Sequence, residues 1–185
     1  MPYMGKLDMK ENDSFLFVGK MPSFKELLDE VLSLTQKDWL DYKKRKLAGG
    51  AAAENTDTIP LVYDLKHRIN SRILHKDYER FSAYIDEVIG VVIEKIGEVE
   101  VQQAMLTNLR AGIVIPRHRD KGPLTEKTHR IHVPVITNTG CIFSVGDESR
   151  NLEAGHIWII DNVNKYHSVE NRGENDRVHL IIDAI

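Results

Sequence analysis

A mainly β, α+β domain is predicted, with a sandwich or jelly-roll barrel as its core and N-terminal helices packed outside. Three observations lead there. Apolar residues recur with helical spacing before Gly97, and short β-branched runs take over after it. Glycines at Gly140, Gly146, Gly155 and Gly173 punctuate those runs as turns punctuate strands. Helices first and strands later place the helices against one outer face of a sheet.

The elements follow in order. Met21-Pro22-Ser23 with Glu26 three residues on predicts a helix start, a capping box in which Ser23 is the N-cap. Phe24, Leu27, Leu28, Val31 and Leu32 then share one helical face. A second short helix is expected through Trp39 and Leu40 into the basic stretch Lys43 to Lys46. Ala48 to Ala53 is low in complexity and reads as a mobile loop, a candidate lid over the barrel mouth. The basic stretch reads as a solvated helix end, with substrate recruitment as its functional alternative. Ile59 to Tyr63 predicts a short strand, with Pro60 at an edge or at its beginning. Phe81, Ile85, Val88, Val92 and Ile96 step by four, three, four and four, the apolar stripe of the longest helix, and Gly97 stands at its C-terminal cap. Strands are expected over Val99 to Leu109, Gly112 to Pro116, Ile131 to Thr137, Cys141 to Val145, His156 to Ile160 and Val178 to Ile182. One domain over 1–185 is expected, helix-rich over about 1–98 with the β core over about 99–185.

Composition narrows the function classes. The 185 residues are 42% hydrophobic and 29% charged, as in ordinary soluble domains, and carry a formal net charge of −3. No global basic field favours nucleic acid or an anionic membrane surface, so neither is expected as a partner. The single cysteine, Cys141, rules out an intrachain disulfide and suits a reducing cytoplasm. No stretch reads as a signal peptide or membrane span, and a cytoplasmic location is expected. Oligomeric state is left open.

The chemistry-bearing constellation is His118-Arg119-Asp120, followed by His167 and then Arg177. Residues i and i+2 of an extended chain point to one side, so His118 and Asp120 can act together while Arg119 points away. Two imidazoles and one carboxylate can occupy one face of an Fe(II) ion and leave the opposite face for a chelating co-substrate and O2. Arg177 offers a planar two-pronged cation for a distant carboxylate of that co-substrate. A His-x-Asp match alone is unspecific, and its bland reading is a surface hydrogen-bonded pair. Arg177 has a bland reading too, a surface ion pair with Asp176 or Glu174.

The stretch from about Gln102 to Asp183 resembles the aspartyl/asparaginyl β-hydroxylase family of Fe(II)- and 2-oxoglutarate-dependent oxygenases. Leu109 to Gly112, Ile115 to Asp120, Arg130 to Val135, Gly155 to Asp161, His167 to Asn171 and Arg177 to Asp183 carry the resemblance. The N-terminal half matches loosely, at Trp39 and Thr58 to Leu61. The resemblance implies a double-stranded β-helix (jelly-roll, cupin-like) core, with Fe(II), 2-oxoglutarate and O2 as the cofactor set. It implies His118 and His167 as iron ligands and Arg177 on the distal carboxylate of 2-oxoglutarate, helped by Thr107. Arg130 and His132 would contact the metal-side carboxylate. Some animal members carry glycine where this chain has Asp120, so the full His118, Asp120, His167 triad departs from them and leaves their substrate untransferred.

The activity so implied is hydroxylation of an Asp- or Asn-type side chain in a peptide, or of a free amino acid or small metabolite, with release of succinate and CO2. Its rival is a non-catalytic jelly-roll module that binds a ligand or partner. A halogenase of this type would have a small residue in place of Asp120. His179 shares the strand face of Arg177 and reads as a satisfied core histidine, and Trp158 as core or pocket wall.

Overall fold

The computed structural model describes residues 13–40, 55–64 and 72–185. The expected basic stretch at Lys43 to Lys46 and the Ala48 to Ala53 loop lie outside them. In chain order the elements are β1 (Phe15–Lys20), α1 (Phe24–Leu32), α2 (Gln36–Leu40), β2 (Asp57–Asp64), β3 (Arg72–Leu74), α3 (Tyr78–Ile96), β4 (Val101–Leu109) and β5 (Val114–His118). A 3-10 turn at Thr125–Lys127 precedes β6 (His129–Ile136), β7 (Cys141–Val145), β8 (Glu148–Arg150), β9 (His156–Ile160), β10 (His167–Asn171) and β11 (Arg177–Ala184).

The strands form two antiparallel sheets, the two layers of a jelly roll. The major sheet runs β1-β9-β6-β11-β4-β2-β3 and the minor sheet β5-β10-β7-β8. Two apolar clusters divide between the two faces of the major sheet. Leu27 and Val31 of α1 and Phe81, Ile85, Val88 and Val92 of α3 pack against Leu106, Val133, Ile157, Leu180 and Ile182. On the other face Phe15, Leu109 and Ile160 meet Ile115, Phe143, Val145 and Val169 of the minor sheet. Burying each such side chain contributes roughly 1.5–3 kcal/mol, so the helices are fastened by their stripe rather than by intrinsic propensity.

This layering creates the site. β11 is the middle strand of the major sheet and is covered on both faces. Val178, Leu180, Ile182 and Ala184 belong to the helix-side core. By strand alternation Arg177, His179, Ile181 and Asp183 face into the space between the sheets. β6 repeats the division, with Ile131, Val133 and Val135 toward the helices and Arg130 and His132 inward.

Several local expectations change. Ser23 stands at the N-cap of α1, but its side chain makes no capping bond. Its backbone N–H donates instead to Glu87 Oε1 on α3, at 2.8 Å. The capping box fails because packing brings α3 close enough for Glu87 to take the job assigned to Glu26. Pro60 lies inside β2, which is flanked by β4 and β3, rather than on an edge strand. β3 pairs with Val62 to Asp64, so among the described residues the far side of β2 has no strand partner at Pro60 and needs no N–H there. β1, β3, β8 and β10 are absent from the strands expected above, although Phe15 to Val18 of β1 is an apolar run closed by Gly19. β1 owes its place to pairing with β9 over Phe15 to Lys20. The long helix agrees with its stripe and ends at Gly97, whose φ of 92° suits glycine. Gly140 is required by close approach, since a Cβ there would lie 2.4 Å from the Gly173 backbone nitrogen. Among the described residues no helix is long and apolar enough to cross a membrane.

Candidate metal and co-substrate site

His118 closes β5 and His167 opens β10, and the two are direct partners across that antiparallel pair. Their rings lie 4.2 Å apart between centroids. Asp120 follows β5 by two residues, and its backbone N–H donates to the Asn162 carbonyl at 3.0 Å. This turns its carboxylate inward. His118 Nε2 lies 3.5 Å, and His167 Nε2 3.8 Å, from Asp120 Oδ1. One donor atom from each of the three residues falls within 4.8 Å of the others. Arg119 points away as alternation requires, its guanidinium 4.9 Å from the Tyr166 ring.

The donor set is prepared for a cation. His118 Nδ1 bonds to the Pro116 carbonyl at 2.7 Å, which requires the proton on Nδ1 and leaves the Nε2 lone pair facing the site. His167 is buried, and burial is the main reason its pKa falls to about 4, against the opposing charge of Asp120. Its imidazole is therefore neutral, the form that ligates. Burial pushes the Asp120 pKa up, but Arg130, the Asn162 hydrogen bond, His167 and His118 together pull it below the usual carboxylate range. Asp120 is ionised and ready to ligate.

Behind the triad lies a second polar group. Arg177 is buried at 3% exposure and has no carboxylate partner among the described residues. Burial lowers its pKa to about 10, so it stays charged at neutral pH. Its Nη2 donates to His179 Nδ1 at 2.7 Å, and His132 Nδ1 lies 3.3 Å from the same atom. With Arg177 as an obligate donor, His179 Nδ1 must be the acceptor and His132 Nδ1 carries the proton. Burial first, and the Arg177 charge second, hold the pKa of both histidines well below the usual value. Thr107 faces His179 across β4 and β11, and its Oγ1 is buried with no hydrogen-bond partner among the described residues. Arg177 and His179 line a small cleft with Cys141, Phe143, Leu152 and Val169.

Phe143 joins the two groups. Its ring centroid is 6.2 Å from that of His167 and 5.3 Å from that of His132, and the Arg177 Cζ lies 5.9 Å from it. The triad and the buried guanidinium therefore flank one aromatic ring inside one barrel. All seven residues singled out from sequence, His118, Asp120, His167, Arg130, His132, Thr107 and Arg177, lie on the strands that wall this space or, for Asp120, on the loop capping it. Arg130, expected to contact the co-substrate, spans two carboxylates of the protein itself, Asp183 and Asp120. The surface ion pair for Arg177 does not form, because Asp176 is engaged by Asn108 Nδ2 and the Ala111 N–H. Sequence reasoning missed Phe143, Asn162 and Asp183. Only Asp183 carried a signal, the same strand parity as Arg177 and His179.

These residues fit a divalent metal and a dicarboxylate. Two imidazoles and an ionised carboxylate suit Fe(II). A buried guanidinium without a carboxylate partner, beside a hydroxyl without a hydrogen-bond partner, both among the described residues, is a costly arrangement that an anionic ligand would relieve.

A sequence profile described as Aspartyl/Asparaginyl beta-hydroxylase matches residues 22–185. Among curated proteins none matches the chain. Among solved structures, the non-heme alpha ketoglutarate dependent epimerase SnoN from nogalamycin biosynthesis is similar at 12% identity and a TM-score of 0.60, over 94% of this chain and 78% of that one. The viral collagen prolyl hydroxylase vCPH of Paramecium Bursaria Chlorella virus-1 is similar at 10% identity and a TM-score of 0.57, over 94% and 96%. A 2OG-Fe(II) oxygenase family oxidoreductase from Burkholderia pseudomallei is similar at 12% identity and a TM-score of 0.58, over 70% of this chain and 65% of that one. The chain thus spans just under two thirds of that bacterial protein. At these identities the likeness speaks for the fold, which is shared by a hydroxylase and an epimerase. With 164 of its 185 positions inside the profile, the chain belongs to the aspartyl/asparaginyl beta-hydroxylase family, and so to the 2-oxoglutarate- and Fe(II)-dependent oxygenases.

Proposed function

We propose that the chain hydroxylates an Asp- or Asn-type side chain in a peptide, or a free amino acid or small metabolite, using Fe(II), 2-oxoglutarate and O2 and releasing succinate and CO2. The observation that carries this reading is the His118, Asp120, His167 triad in the same barrel as a buried Arg177 that has no carboxylate partner among the described residues. A module that only held a partner would have no use for both. Residues of β1 and β2 share the major sheet with β4 and β11, which supports a single domain over 1–185. The reduced, buried Cys141 is compatible with a cytoplasmic setting.

Each residue then has one task. His118, Asp120 and His167 hold the metal by Nε2, Oδ1 and Nε2. Arg177 and Thr107 bind the distal carboxylate of 2-oxoglutarate, relieving the isolated charge and the unpartnered hydroxyl. His179 accepts from Arg177 and fixes the plane of the guanidinium. Arg130 presents to the metal-side carboxylate the N–H groups left over from its two carboxylates, and His132, whose one N–H goes to His179, walls that side of the space. Phe143 keeps bulk water from the space between triad and clamp. Bound Fe(II) with 2-oxoglutarate and O2 supplies the oxidative decarboxylation that drives hydroxylation.

The test is an anaerobic titration of metal-free protein with Fe(II) and then 2-oxoglutarate, following the visible charge-transfer band. Wild type is expected to show the band, and His167→Ala and Asp120→Ala to lose it. Iron bound without a band would overturn the co-substrate assignment. No iron binding would bring the non-catalytic module forward.

A further inference from the structure

The carboxylate ligand is gripped from two directions. Asp183 holds Arg130 in a two-pronged pair, Nε to Oδ1 at 2.8 Å and Nη2 to Oδ2 at 2.9 Å. Arg130 Nη1 donates to Asp120 Oδ2. Asn162 Nδ2 donates to that same oxygen at 2.8 Å, while the Asn162 carbonyl accepts the Asp120 N–H. Both outer residues are buried, Asp183 at 1% exposure and Asn162 at 4%.

We propose that Asp183 and Asn162 are positioning residues for the metal ligand Asp120, a role that rests on the reading of His118, Asp120 and His167 as the iron site. The two oxygens of a free carboxylate are interchangeable by rotation, and both can chelate. With Oδ2 saturated by two donors, Asp120 offers a metal only Oδ1, the atom that faces both histidines. That makes it a one-point ligand and leaves coordination positions for co-substrate and O2.

Topology explains why these residues do it. Asp120 sits on a loop leaving the minor sheet, where a ligand would be loosely held. Asp183 is the register partner of Arg130 across β11 and β6, and Arg130 is the partner of Ile160 across β6 and β9. Asn162 follows Ile160 by two residues. The grip thus crosses three neighbouring strands of the major sheet and ties the loop of one sheet to the framework of the other. Charge enters as well. Asp183 neutralises Arg130, so the guanidinium orients Asp120 without quenching the charge that the metal needs. Burial disfavours the charged guanidinium, yet Asp183 and Asp120 together hold Arg130 more firmly protonated than usual.

The experiment is calorimetric titration of metal-free protein with Mn(II), a redox-silent probe, alongside urea unfolding of the same samples. Asp183→Asn and Asn162→Ala are each expected to weaken Mn(II) binding by roughly 10–100-fold. In an Asp120→Ala background, titrated with Ni(II) so that the two histidines still bind, the same substitutions are expected to change affinity no further. Undiminished Mn(II) binding by both variants, or an equal loss in the Asp120→Ala background, would overturn the proposal. Should Asp183→Asn fail to fold, Asn162→Ala decides by the same pair of titrations. Absence of Mn(II) binding by wild type overturns the metal-site reading and this proposal with it, whereas normal wild-type binding with unaffected variants overturns this proposal alone.

Discussion

His118 and His167, far apart in the chain, are paired residues of adjacent antiparallel strands with their rings 4.2 Å apart. A sheet register therefore sets the spacing of two metal ligands, and the third, Asp120, is brought to them by a loop. Strand pairs are stiff where loops are not, so the two imidazoles form the fixed part of the site and the carboxylate the adjustable part.

Arg177 is charged, buried and without a carboxylate partner among the described residues, so it weakens the fold in the absence of ligand. Replacing a buried, uncompensated ion by an apolar side chain of similar volume is often neutral or stabilising. Arg177→Met is expected to keep or raise the urea midpoint of the ligand-free protein, since His179 Nδ1 retains His132 as a donor. The same change should weaken 2-oxoglutarate binding at least roughly 100-fold, through loss of charge-assisted hydrogen bonds. A drop in stability with unchanged co-substrate affinity would remove Arg177 from the clamp.

Thr107 gives a milder version of the same test. Its buried Oγ1 has no hydrogen-bond partner among the described residues. Thr107→Val removes the unsatisfied hydroxyl and is expected to leave the ligand-free protein as stable or more so, by about 1 kcal/mol. Affinity for 2-oxoglutarate should fall about fivefold, the worth of one hydrogen bond. Equal affinities for the two proteins would show that the hydroxyl does not reach the co-substrate.

Acid should destabilise the metal-free protein over a defined window. The folded-state pKa of His167 is lowered from 6.5 to about 4, chiefly by burial, and those of His132 and His179 are lowered well below 6.5 for the same reason. Below pH 6.5 the unfolded chain takes up protons that the folded one refuses. Stability is then fully present above pH 6.5 and is lost as pH falls toward 4, by about 3 kcal/mol from His167 alone. Urea midpoints measured between pH 7.5 and about 4.5 check this, and a flat profile would mean that these histidines are solvated. Added Mn(II) should steepen the loss, because acid also releases the metal.

Glu87 should matter to α1 more than Glu26 does. It accepts the Ser23 N–H from another helix, whereas Glu26 is exposed and makes no capping bond. Glu87→Ala is expected to cost about 1 kcal/mol in urea unfolding and Glu26→Ala only a few tenths. The reverse order would restore the local capping box.

Much of the site was readable because its residues are close in sequence or share strand parity. His118 and Asp120 are two apart, as are Arg130 and His132, and a period of two puts each pair on one face. The α3 stripe was readable for the corresponding helical reason, and Phe81, Ile85, Val88 and Val92 are all buried. Short edge strands were not. β8 has no apolar pattern of its own and stands where β7 offers hydrogen bonds, and the apolar run of β1 finds its place by pairing with β9.

The chain by itself determined the chemistry on offer: two imidazoles, one carboxylate and one guanidinium in an order that resembles a known family, on segments whose periodicity names their structure. Tertiary structure decided what each group meets. It gave Arg130 two carboxylates, left Arg177 with none, set Phe143 between triad and clamp, and handed the Ser23 cap to Glu87. Those outcomes depend on contacts between strands and helices distant in sequence, where the partner is chosen by packing and register rather than by local pattern.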